Sequence, residues 1–374
     1  SLTVLPYEKL NDSSYPVREY GVGDWILAVE FSIDGTKLYC LTTHNVVCTI
    51  DVYTMKLVGT KNCGWKSILY SGCIRSLKSG QVIICSGTVM DGILVWNLED
   101  SDIRYNLKGH EGSIFDAEIS PCGDYLISCS DDRSIKAWDL SSGNLMATGW
   151  GHGARIWGLS FFDMNDQGFK IFSCSEDCTA RVWQCRMDST ELIQLKDYLS
   201  HTGRDVWSQC VNEKLEVGFT GGADGKLRVY DLNEVSKPGH LTNSFTISTI
   251  ALQSGQVMEE EEIIRSYYDF GYGLLAVSST GKFFVVESNF NHWKFLFQDL
   301  RFGNFVMLTG FRNSTVAIAA DKLGHVYAFK FDESANIVQK VEFQILDLSR
   351  LGNLISVQTD DGKFLLLVDS QNPK

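Results

Sequence analysis

The side chains in this sequence that could carry acid–base chemistry are its seven histidines and 46 carboxylates. A catalytic role would require some of them in a recognisable motif, such as HExxH, a GxSxG nucleophile elbow, or a GxxxxGKS/GxxxxGKT phosphate-binding loop. None of these motifs occurs in the sequence, and no GxGxxG follows a strand-like segment. We therefore predict that the protein is not an enzyme.

One glycine-rich segment, FTGGADGKLRVY at residues 219–230, has the composition of a phosphate cradle. It falls between two predicted strands, and no helix follows whose N-terminus could bind an anion. We interpret its glycines as turn residues, because glycine reaches backbone conformations that tight turns require.

The eleven cysteines are scattered through strand-like segments without a CxxC pair. Cys174, Cys178 and Cys185 lack the spacing of a zinc knuckle, so we predict no metal site. Their distribution is typical of small buried side chains in a reducing compartment. The opening residues lack the features of a secretory signal, and no apolar run reaches membrane-spanning length, so we expect a cytoplasmic protein.

The composition and charge favour an all-β protein with a basic partner. The 374 residues include 33 glycines, five prolines and 12% aromatic residues, which suits short strands joined by tight turns. With 33 basic and 46 acidic residues, the net charge is -13. Nucleic-acid binding by this chain alone is disfavoured, because phosphate neutralisation requires clusters of Lys and Arg.

The elements that would position functional side chains repeat along the chain. Apolar runs that end in an acidic or amide residue predict third-strand ends near residues 51, 97, 139, 184, 231, 287, 332 and 369. This spacing resembles that of WD repeats and implies a WD40 β-propeller of seven or eight four-stranded blades over residues 1–374. Leu2–Leu5 is the candidate outer strand for ring closure, and the last unit either closes the ring or begins a second propeller.

In WD repeats a His, a Ser or Thr, an Asp and a Trp form a hydrogen-bonded tetrad, which satisfies buried polar groups and holds the loops. The resemblance assigns three tetrads: His110, Ser128, Asp132 and Trp138; His152, Ser173, Asp177 and Trp183; and His201, Thr220 and Asp224 with Tyr230 in place of Trp. These histidines are the best placed in the sequence, so we interpret them as structural. The second repeat has Trp96 but Met90 where the Asp would fall.

Residues that flank the tetrads are candidates for binding a partner, because propellers bind partners through the loops at their rims. The candidates are Arg133, Arg155, Trp157, Glu176, Arg204, Asp205, Trp207 and Lys226, with Phe115 and Asp131 beside them. Arg and Trp are enriched in binding hot spots. The alternative for Trp157 and Trp207 is that they begin their strands and pack between blades.

An acidic run, Glu259 to Glu262, lies in the longest step between repeats. A run of like charges is most often a solvated loop, which is the interpretation that we favour. A docking patch for a basic partner is the alternative.

Five segments resemble one WD-repeat family more specifically: SDDRSIKAWD (130–139), GHGARIWGLSF (151–161), SCSEDCTARVW (173–183), HTGRDVWS (201–208) and GGADGKLRVYD (221–231). That family is the noncatalytic subunit of the tRNA wobble-nucleotide 2′-O-ribose methyltransferase. The resemblance implies a scaffold that binds the catalytic subunit and reaches tRNA through the complex. It also implies that the chain needs no cofactor, since the partner enzyme would bind S-adenosylmethionine.

Two points qualify this resemblance. Family members are longer, so we expect the chain to correspond to an N-terminal propeller portion, and Asp205 and Val206 replace the glycine and apolar residue expected after HTGR. A carboxylate at position 205 could pair with Arg204.

The alternative function is a peptide-reading adaptor, such as a ubiquitin-ligase substrate receptor, that binds acidic or phosphorylated segments through Arg133, Arg155 and Arg204.

Overall fold

Short apolar segments separated by Gly, Asp and Ser turns form an all-β structure. The computed structural model describes residues 2–6, 18–20, 26–54, 56–65, 67–89, 92–199, 201–203, 205–232, 241–257, 259, 262–310, 315–344, 351–358 and 364–370. The chain divides into a larger unit, Asp24–Asp224 with Arg228–Thr242, and a smaller unit, Ser1–Gly23 with Gly225–Leu227 and Asn243–Lys374.

The described residues form 32 strands. The first sixteen are β1 (Leu2–Pro6), β2 (Arg18–Tyr20), β3 (Ile26–Phe31), β4 (Lys37–Thr42), β5 (Val47–Asp51), β6 (Lys56–Lys61), β7 (Leu69–Ser76), β8 (Val82–Thr88), β9 (Ile93–Asn97), β10 (Ile103–Leu107), β11 (Ile114–Ile119), β12 (Tyr125–Ser130), β13 (Ser134–Asp139), β14 (Asn144–Trp150), β15 (Ile156–Asn165) and β16 (Gly168–Ser175). The others are β17 (Thr179–Arg186), β18 (Ile193–Leu199), β19 (Val206–Asn212), β20 (Val217–Gly222), β21 (Leu227–Asp231), β22 (Leu241–Phe245), β23 (Ile264–Asp269), β24 (Gly273–Ser278), β25 (Lys282–Glu287), β26 (Lys294–Gln298), β27 (Met307–Gly310), β28 (Val316–Ala320), β29 (His325–Phe331), β30 (Ile337–Gln344), β31 (Leu351–Gln358) and β32 (Phe364–Ser370).

Seven four-stranded antiparallel sheets are each built from four strands that are consecutive in sequence, beginning with β3–β6 and ending with β27–β30. Their third strands end at Asp51, Asn97, Asp139, Arg186, Asp231, Glu287 and Phe331. The predicted fold class, an all-β propeller of four-stranded blades, is confirmed. A single ring over residues 1–374 stays a prediction.

The eighth sheet of the described residues combines both ends of the sequence, in the order β2-β1-β32-β31. Leu2 pairs with Asp369 and Pro6 with Leu365. β31 packs against β27, the first strand of the preceding sheet, so β31 takes the first place and β32 the second. β1 is the third strand of this sheet, so the prediction that the strand ending near 369 is a third strand is wrong. The prediction that Leu2–Leu5 forms the outer strand is also wrong, because the outer strand is β2.

In the larger unit, the first strands of neighbouring sheets pack side by side in the order β3, β7, β11, β15 and β19. Side chains of one strand bond to the backbone of the next. Ser71 Oγ donates to the Ile114 carbonyl at 2.9 Å, and the backbone N–H of Leu159 donates to Asp116 at 3.1 Å. These bonds fix where each first strand begins relative to its neighbour.

All five of these first strands begin with a β-bulge at their second residue. The pairing of β7 with β8 passes from Leu69 to Ser71, and the same irregularity occurs at the second residue of β11, β15 and β19. A bulge leaves one residue outside the ladder and re-aims its side chain. The bulged residue is Leu27 in β3, and in the next four first strands the bulged residues are Tyr70, Phe115, Trp157 and Trp207.

The smaller unit contains a helix that the repeat pattern does not indicate. α1 (Ile247–Ser254) lies within the longest step between repeats; Thr246 caps its N-terminus, and Gly255 ends it in the left-handed conformation at φ 71°. A 3-10 helix spans Leu300–Phe302. Among the described residues, no helix has the length and apolar character needed to cross a membrane.

Cysteine burial follows the prediction for most thiols. Cys40, Cys85, Cys129, Cys174 and Cys185 are fully buried. Cys122, by contrast, is exposed. In the described part of the chain, no group of three or more His, Cys, Asp or Glu side chains is placed to hold a metal ion.

Candidate partner-binding surface

The first predicted tetrad comes together between β11, β12 and β13. Trp138 Nε1 donates to Ser128 Oγ at 2.9 Å, and His110 Nε2 lies 2.9 Å from the same oxygen. His110 Nδ1 lies 2.9 Å from the Asp132 carboxylate. Because a carboxylate only accepts, the neutral imidazole carries its proton on Nδ1, and Nε2 accepts from the Ser128 hydroxyl.

The second and third tetrads repeat this arrangement. His152 bridges Asp177 and Ser173 at 2.9 Å each, and Trp183 donates to Ser173 at 2.9 Å. In the third, His201 lies 2.9 Å from Asp224 and 2.7 Å from Thr220. There the Tyr230 hydroxyl lies 3.0 Å from Thr220 Oγ1 and takes the place of the indole N–H.

A Ser–His–Asp chain of hydrogen bonds also occurs in nucleophilic catalysis, but burial gives these chains another role. Ser128, Ser173 and Thr220 are fully buried. The hydroxyl oxygens of the two serines each accept an indole N–H, so neither faces a cleft that a substrate could enter. The tetrad carboxylates also accept backbone N–H groups of the preceding loop, from Glu111 and from Gly153. The tetrads thus hold the loops in place.

Burial and hydrogen bonding shift the ionisation of these groups. Burial lowers the pKa of His110 and His152 below the ordinary 6.5, outweighing the neighbouring carboxylates. Burial alone would raise the pKa of Asp132 and Asp177, but the hydrogen bonds from the histidines and the backbone hold it well below the ordinary 3.8. At neutral pH each pair therefore consists of a neutral imidazole that donates a hydrogen bond to an ionised carboxylate.

The second repeat replaces the tetrad with residues that the sequence analysis missed. Trp96 Nε1 donates to Ser86 Oγ at 3.2 Å, and Ser86 donates to the Asn45 side-chain oxygen at 2.7 Å. Asn45 lies in the turn between β4 and β5 of the preceding sheet and is fully buried at φ 61°. Met90 lies outside the described residues.

The acidic run contributes a buried ion pair in the smaller unit. Glu262 and Lys282 are both buried, with Lys282 Nζ 2.9 Å from Glu262 Oε2. Glu262 also accepts from Thr280 Oγ1 at 2.7 Å, and Lys282 donates to the Val257 carbonyl at 2.7 Å. The prediction of a solvated loop is wrong for Glu262, because this lysine compensates its burial, while Glu259 is exposed.

Four of the five bulged residues of the larger unit form a continuous row of rings, which we call the aromatic arc (Tyr70, Phe115, Trp157, Trp207). Ring centroids lie 5.8 Å apart for Tyr70 and Phe115, 4.9 Å for Phe115 and Trp157, and 5.1 Å for Trp157 and Trp207. Tyr70 is 58% exposed and Trp207 56%, while the central two rings are half-buried. The rings of the arc therefore pack against one another and are also exposed to solvent. Tyr70 was missed by the sequence analysis.

Arg155 and its carboxylates flank the arc. The guanidinium carbon of Arg155 lies 5.5 Å from the centroid of the Trp157 ring, a cation–π distance. Its Nε lies 2.8 Å from Glu176 and 3.4 Å from Asp131. Asp205, at φ 68° and largely buried, accepts Trp157 Nε1–H at 3.0 Å. Four of the candidate positions (155, 157, 176 and 205) are thereby linked directly.

The remaining candidates have different positions. Arg133 is exposed in the turn between β12 and β13, at φ 70°. Lys226 is half-buried in the turn between β20 and β21. Arg204 lies outside the described residues, so its pairing with Asp205 stays a prediction.

The four-stranded sheets and the tetrads give the chain the fold of a WD40 β-propeller. The family model described as "WD domain, G-beta repeat" matches residues 101–139 and 143–184, which contain the first two tetrads. The computationally designed protein Ika8, solved by crystallography, has a similar fold with a TM-score of 0.64 at 16% identity, covering 92% of this chain and 96% of that one.

Among curated proteins, the chain is similar to the tRNA (34-2'-O)-methyltransferase regulator WDR6. The Bos taurus protein is 24% identical over 305 residues, which are 77% of this chain and 25% of that protein. The SIR4-interacting protein SIF2 of Saccharomyces cerevisiae is 24% identical over 221 residues, covering 56% of this chain and 40% of that protein. The chain thus spans about a quarter of the length of the WDR6 proteins that it matches.

Proposed function

We propose that this chain is a noncatalytic scaffold that binds a tRNA 2′-O-ribose methyltransferase and supports methylation of the anticodon wobble nucleotide. The observation that carries the proposal is the match over 77% of the chain to proteins named as regulators of tRNA (34-2'-O)-methyltransferase. The tetrads support a noncatalytic role, since their histidines, carboxylates and hydroxyls bond to one another in buried positions.

In this proposal the catalytic partner supplies what the chain does not. Methyl transfer to a ribose hydroxyl needs a bound donor and a general base. The partner would bind S-adenosylmethionine and hold the base, and it would bring the tRNA to the complex. A net charge of -13 suits a chain that holds a basic enzyme better than one that grips RNA directly. The complex would act in the cytoplasm.

The alternative, a peptide-reading adaptor for acidic or phosphorylated segments, needs available rim arginines. Arg155 is already paired with Glu176 and Asp131, which lowers its attraction for an incoming anion. This pairing weighs against Arg155 as the anion-binding residue of the alternative.

The test is affinity purification of the tagged chain from a native extract, followed by mass spectrometry of bound proteins. We expect recovery of a tRNA 2′-O-methyltransferase. The recovered complex, given S-adenosylmethionine and unmodified tRNA, should methylate nucleotide 34, as measured by nucleoside mass spectrometry. The isolated chain should transfer no methyl groups. Recovery of ubiquitin-ligase subunits in place of a methyltransferase, or methyl transfer by the chain alone, would contradict the proposal.

A further inference from the structure

A cavity in the larger unit lies at the strand ends opposite to those that carry the tetrad aspartates. Those aspartates lie in turns between second and third strands, whereas turns between first and second strands of three neighbouring sheets line the cavity: β11–β12, β15–β16 and β19–β20. Its volume is about 800 Å³, within the range of pockets that bind ligands. Among the described residues that line it, none belongs to a tetrad or to the aromatic arc.

The β15–β16 hairpin contributes the largest share of the lining. β15 has ten residues, whereas the other first strands of the larger unit have six to eight. Its pairing with β16 shifts between Phe162 and Asn165, and Asp163 has φ 49° in this bulge. A bulge re-aims side chains, and residues 162–166 all line the cavity. The longer, bulged hairpin thus builds one wall of the cavity.

Much of the lining is apolar. Phe162 and Leu232 are buried, Met164 is half-buried and Met187 is 40% exposed. Methionine side chains are unbranched and flexible, so they pack against ligands of different shapes. The cavity therefore offers an adaptable apolar surface to a ligand.

The lining also carries four carboxylates and one ammonium group. Lys170 Nζ lies 2.5 Å from Asp163, so these two side chains neutralise one another. The other three, Asp166, Glu213 and Glu216, are exposed, and none of them takes part in an ion pair within the described part of the chain. Three negative charges from two neighbouring hairpins therefore line one concave surface, where charges of one sign attract counter-ions.

The basic residues next to these positions in sequence do not line the cavity. Arg186 precedes Met187 and Lys214 follows Glu213, but neither is among the described lining residues. The lining therefore keeps its excess of negative charge.

An aliphatic cation suits this combination of walls and charges. The two aromatic rings of the lining already have neighbours. Tyr125 lies 5.4 Å from Phe169 between ring centroids, and the Phe162 ring lies 5.9 Å from Lys170 Nζ. The methionines therefore supply most of the contact surface that is open to a ligand. Such a surface suits the four-carbon stem of lysine, whose ammonium group then reaches the carboxylates at the rim.

We propose that this cavity, which we call the acidic pocket (Met164, Asp166, Met187, Glu213, Glu216), binds a lysine-bearing segment of a partner protein. The aliphatic stems lie against the methionines, and the ammonium groups pair with the three carboxylates. The inference rests on the proposed scaffold function in taking the ligand to be a protein, and it adds the chemistry of the segment that the partner contributes.

The test measures binding of a fluorescein-labelled octapeptide of alternating Lys and Ala to the full chain by fluorescence anisotropy. The salt concentration is about 0.15 M, which screens long-range attraction to the net charge. The double variant Glu213→Gln, Glu216→Gln should weaken binding about 3- to 20-fold, the range for losing two surface ion pairs. Met187→Ala should weaken it in the same direction.

The matched control is the double variant Glu111→Gln, Glu333→Gln. It removes the same charge from two exposed glutamates that do not line the pocket, and it should change the dissociation constant less than twofold. All four substituted glutamates are exposed, so both double variants should keep the fold. Equal effects of the two double variants would overturn the inference, because the peptide would then respond to net charge alone.

Two further probes test the chemistry of the ligand. A peptide with norleucine in place of lysine keeps the aliphatic stem without the charge and should not bind; equally tight binding would overturn the inference. Spermidine fills less of the cavity and should not displace the peptide at equal concentration. Displacement would assign the pocket to free polyamines and would also overturn the inference.

Affinity purification separates this inference from the scaffold proposal. Undiminished recovery of the methyltransferase complex with the Glu213→Gln, Glu216→Gln variant would overturn the inference while leaving the scaffold proposal standing. Pocket-dependent peptide binding without any methyltransferase recovery would contradict the scaffold proposal alone.

Discussion

Replacing Trp138 with alanine should destabilise the larger unit strongly. Trp138 is 2% exposed and belongs to the core cluster that contains Ile114 and Leu126. Truncating such a side chain removes its buried apolar surface and leaves a cavity, a loss of about 3–5 kcal/mol in the free energy of unfolding. The substitution also removes the N–H that Ser128 accepts.

The hydrogen-bond contribution can be separated from the packing contribution with a second variant. Trp138→Phe keeps a ring in the core but lacks the indole N–H, so Ser128 loses one of its partners. We expect a smaller loss, about 1–3 kcal/mol, for a buried polar group left short of a hydrogen bond. The difference between the two variants then reports the cavity.

The assay is guanidinium-induced unfolding followed by far-UV circular dichroism. Trp150→Ala is the control, because Trp150 is 63% exposed and its substitution should change the free energy of unfolding by less than about 0.5 kcal/mol. If Trp138→Ala costs no more than Trp150→Ala, or if Trp138→Phe costs as much as Trp138→Ala, the role assigned to the tetrad tryptophan is wrong.

Three further predictions address charge. His110 and His152 have lowered pKa values when folded, so their stabilisation is complete above pH 6.5 and is lost on acidification; unfolding measured between pH 7 and 5 should show a slope of at most about 1.4 kcal/mol per pH unit for each histidine, and His152→Asn should reduce it. Lys282→Met should cost about 3–5 kcal/mol in denaturant unfolding by leaving Glu262 buried and unpaired, whereas adding Glu262→Gln should recover part of that loss. Arg155→Ala should change stability by less than about 1 kcal/mol, because its ion pairs are at the surface, yet weaken partner capture in a pull-down.

The tetrads were predictable because residue type and spacing both define them. Each His precedes a first strand, each Ser or Thr lies in a second strand, and each Asp lies in the turn before the third. The turns between these strands are short, so the sequence distances vary little. Three repeats with the same four positions therefore identified groups that lie 2.7–3.0 Å apart in space.

The substitutes for the tetrad could not be predicted, because they draw on residues outside the repeat pattern. The Ser86 hydroxyl donates to Asn45, which lies 41 residues earlier, in a turn of another sheet. Glu262 pairs with Lys282, which lies 20 residues later, beyond β23 and β24, and nothing distinguishes Glu262 in sequence from the three glutamates before it. The third strand of the last sheet comes from the opposite end of the chain, so alignment of the repeats placed β32 one position too late.

The aromatic arc became visible only through the register of the first strands. Aligning the repeats on their third strands does not bring the first strands into register, because the strands differ in length; β15 has ten residues and β11 has six. Aligned on the first strand instead, the pairs Leu69-Tyr70, Ile114-Phe115, Ile156-Trp157 and Val206-Trp207 repeat one rule, a buried aliphatic residue followed by an aromatic one.

The β-bulge determines which way the aromatic residue of each pair faces. In a regular strand the second residue would face one side of the ladder, whereas the bulge turns it out of the pairing and toward its neighbours. The tetrads beneath bond their polar groups to one another, so an approaching partner meets rings and the carboxylates beside them more than free hydrogen-bonding groups. Substitution of an exposed ring, and not of a tetrad residue, is therefore the perturbation that separates binding from folding.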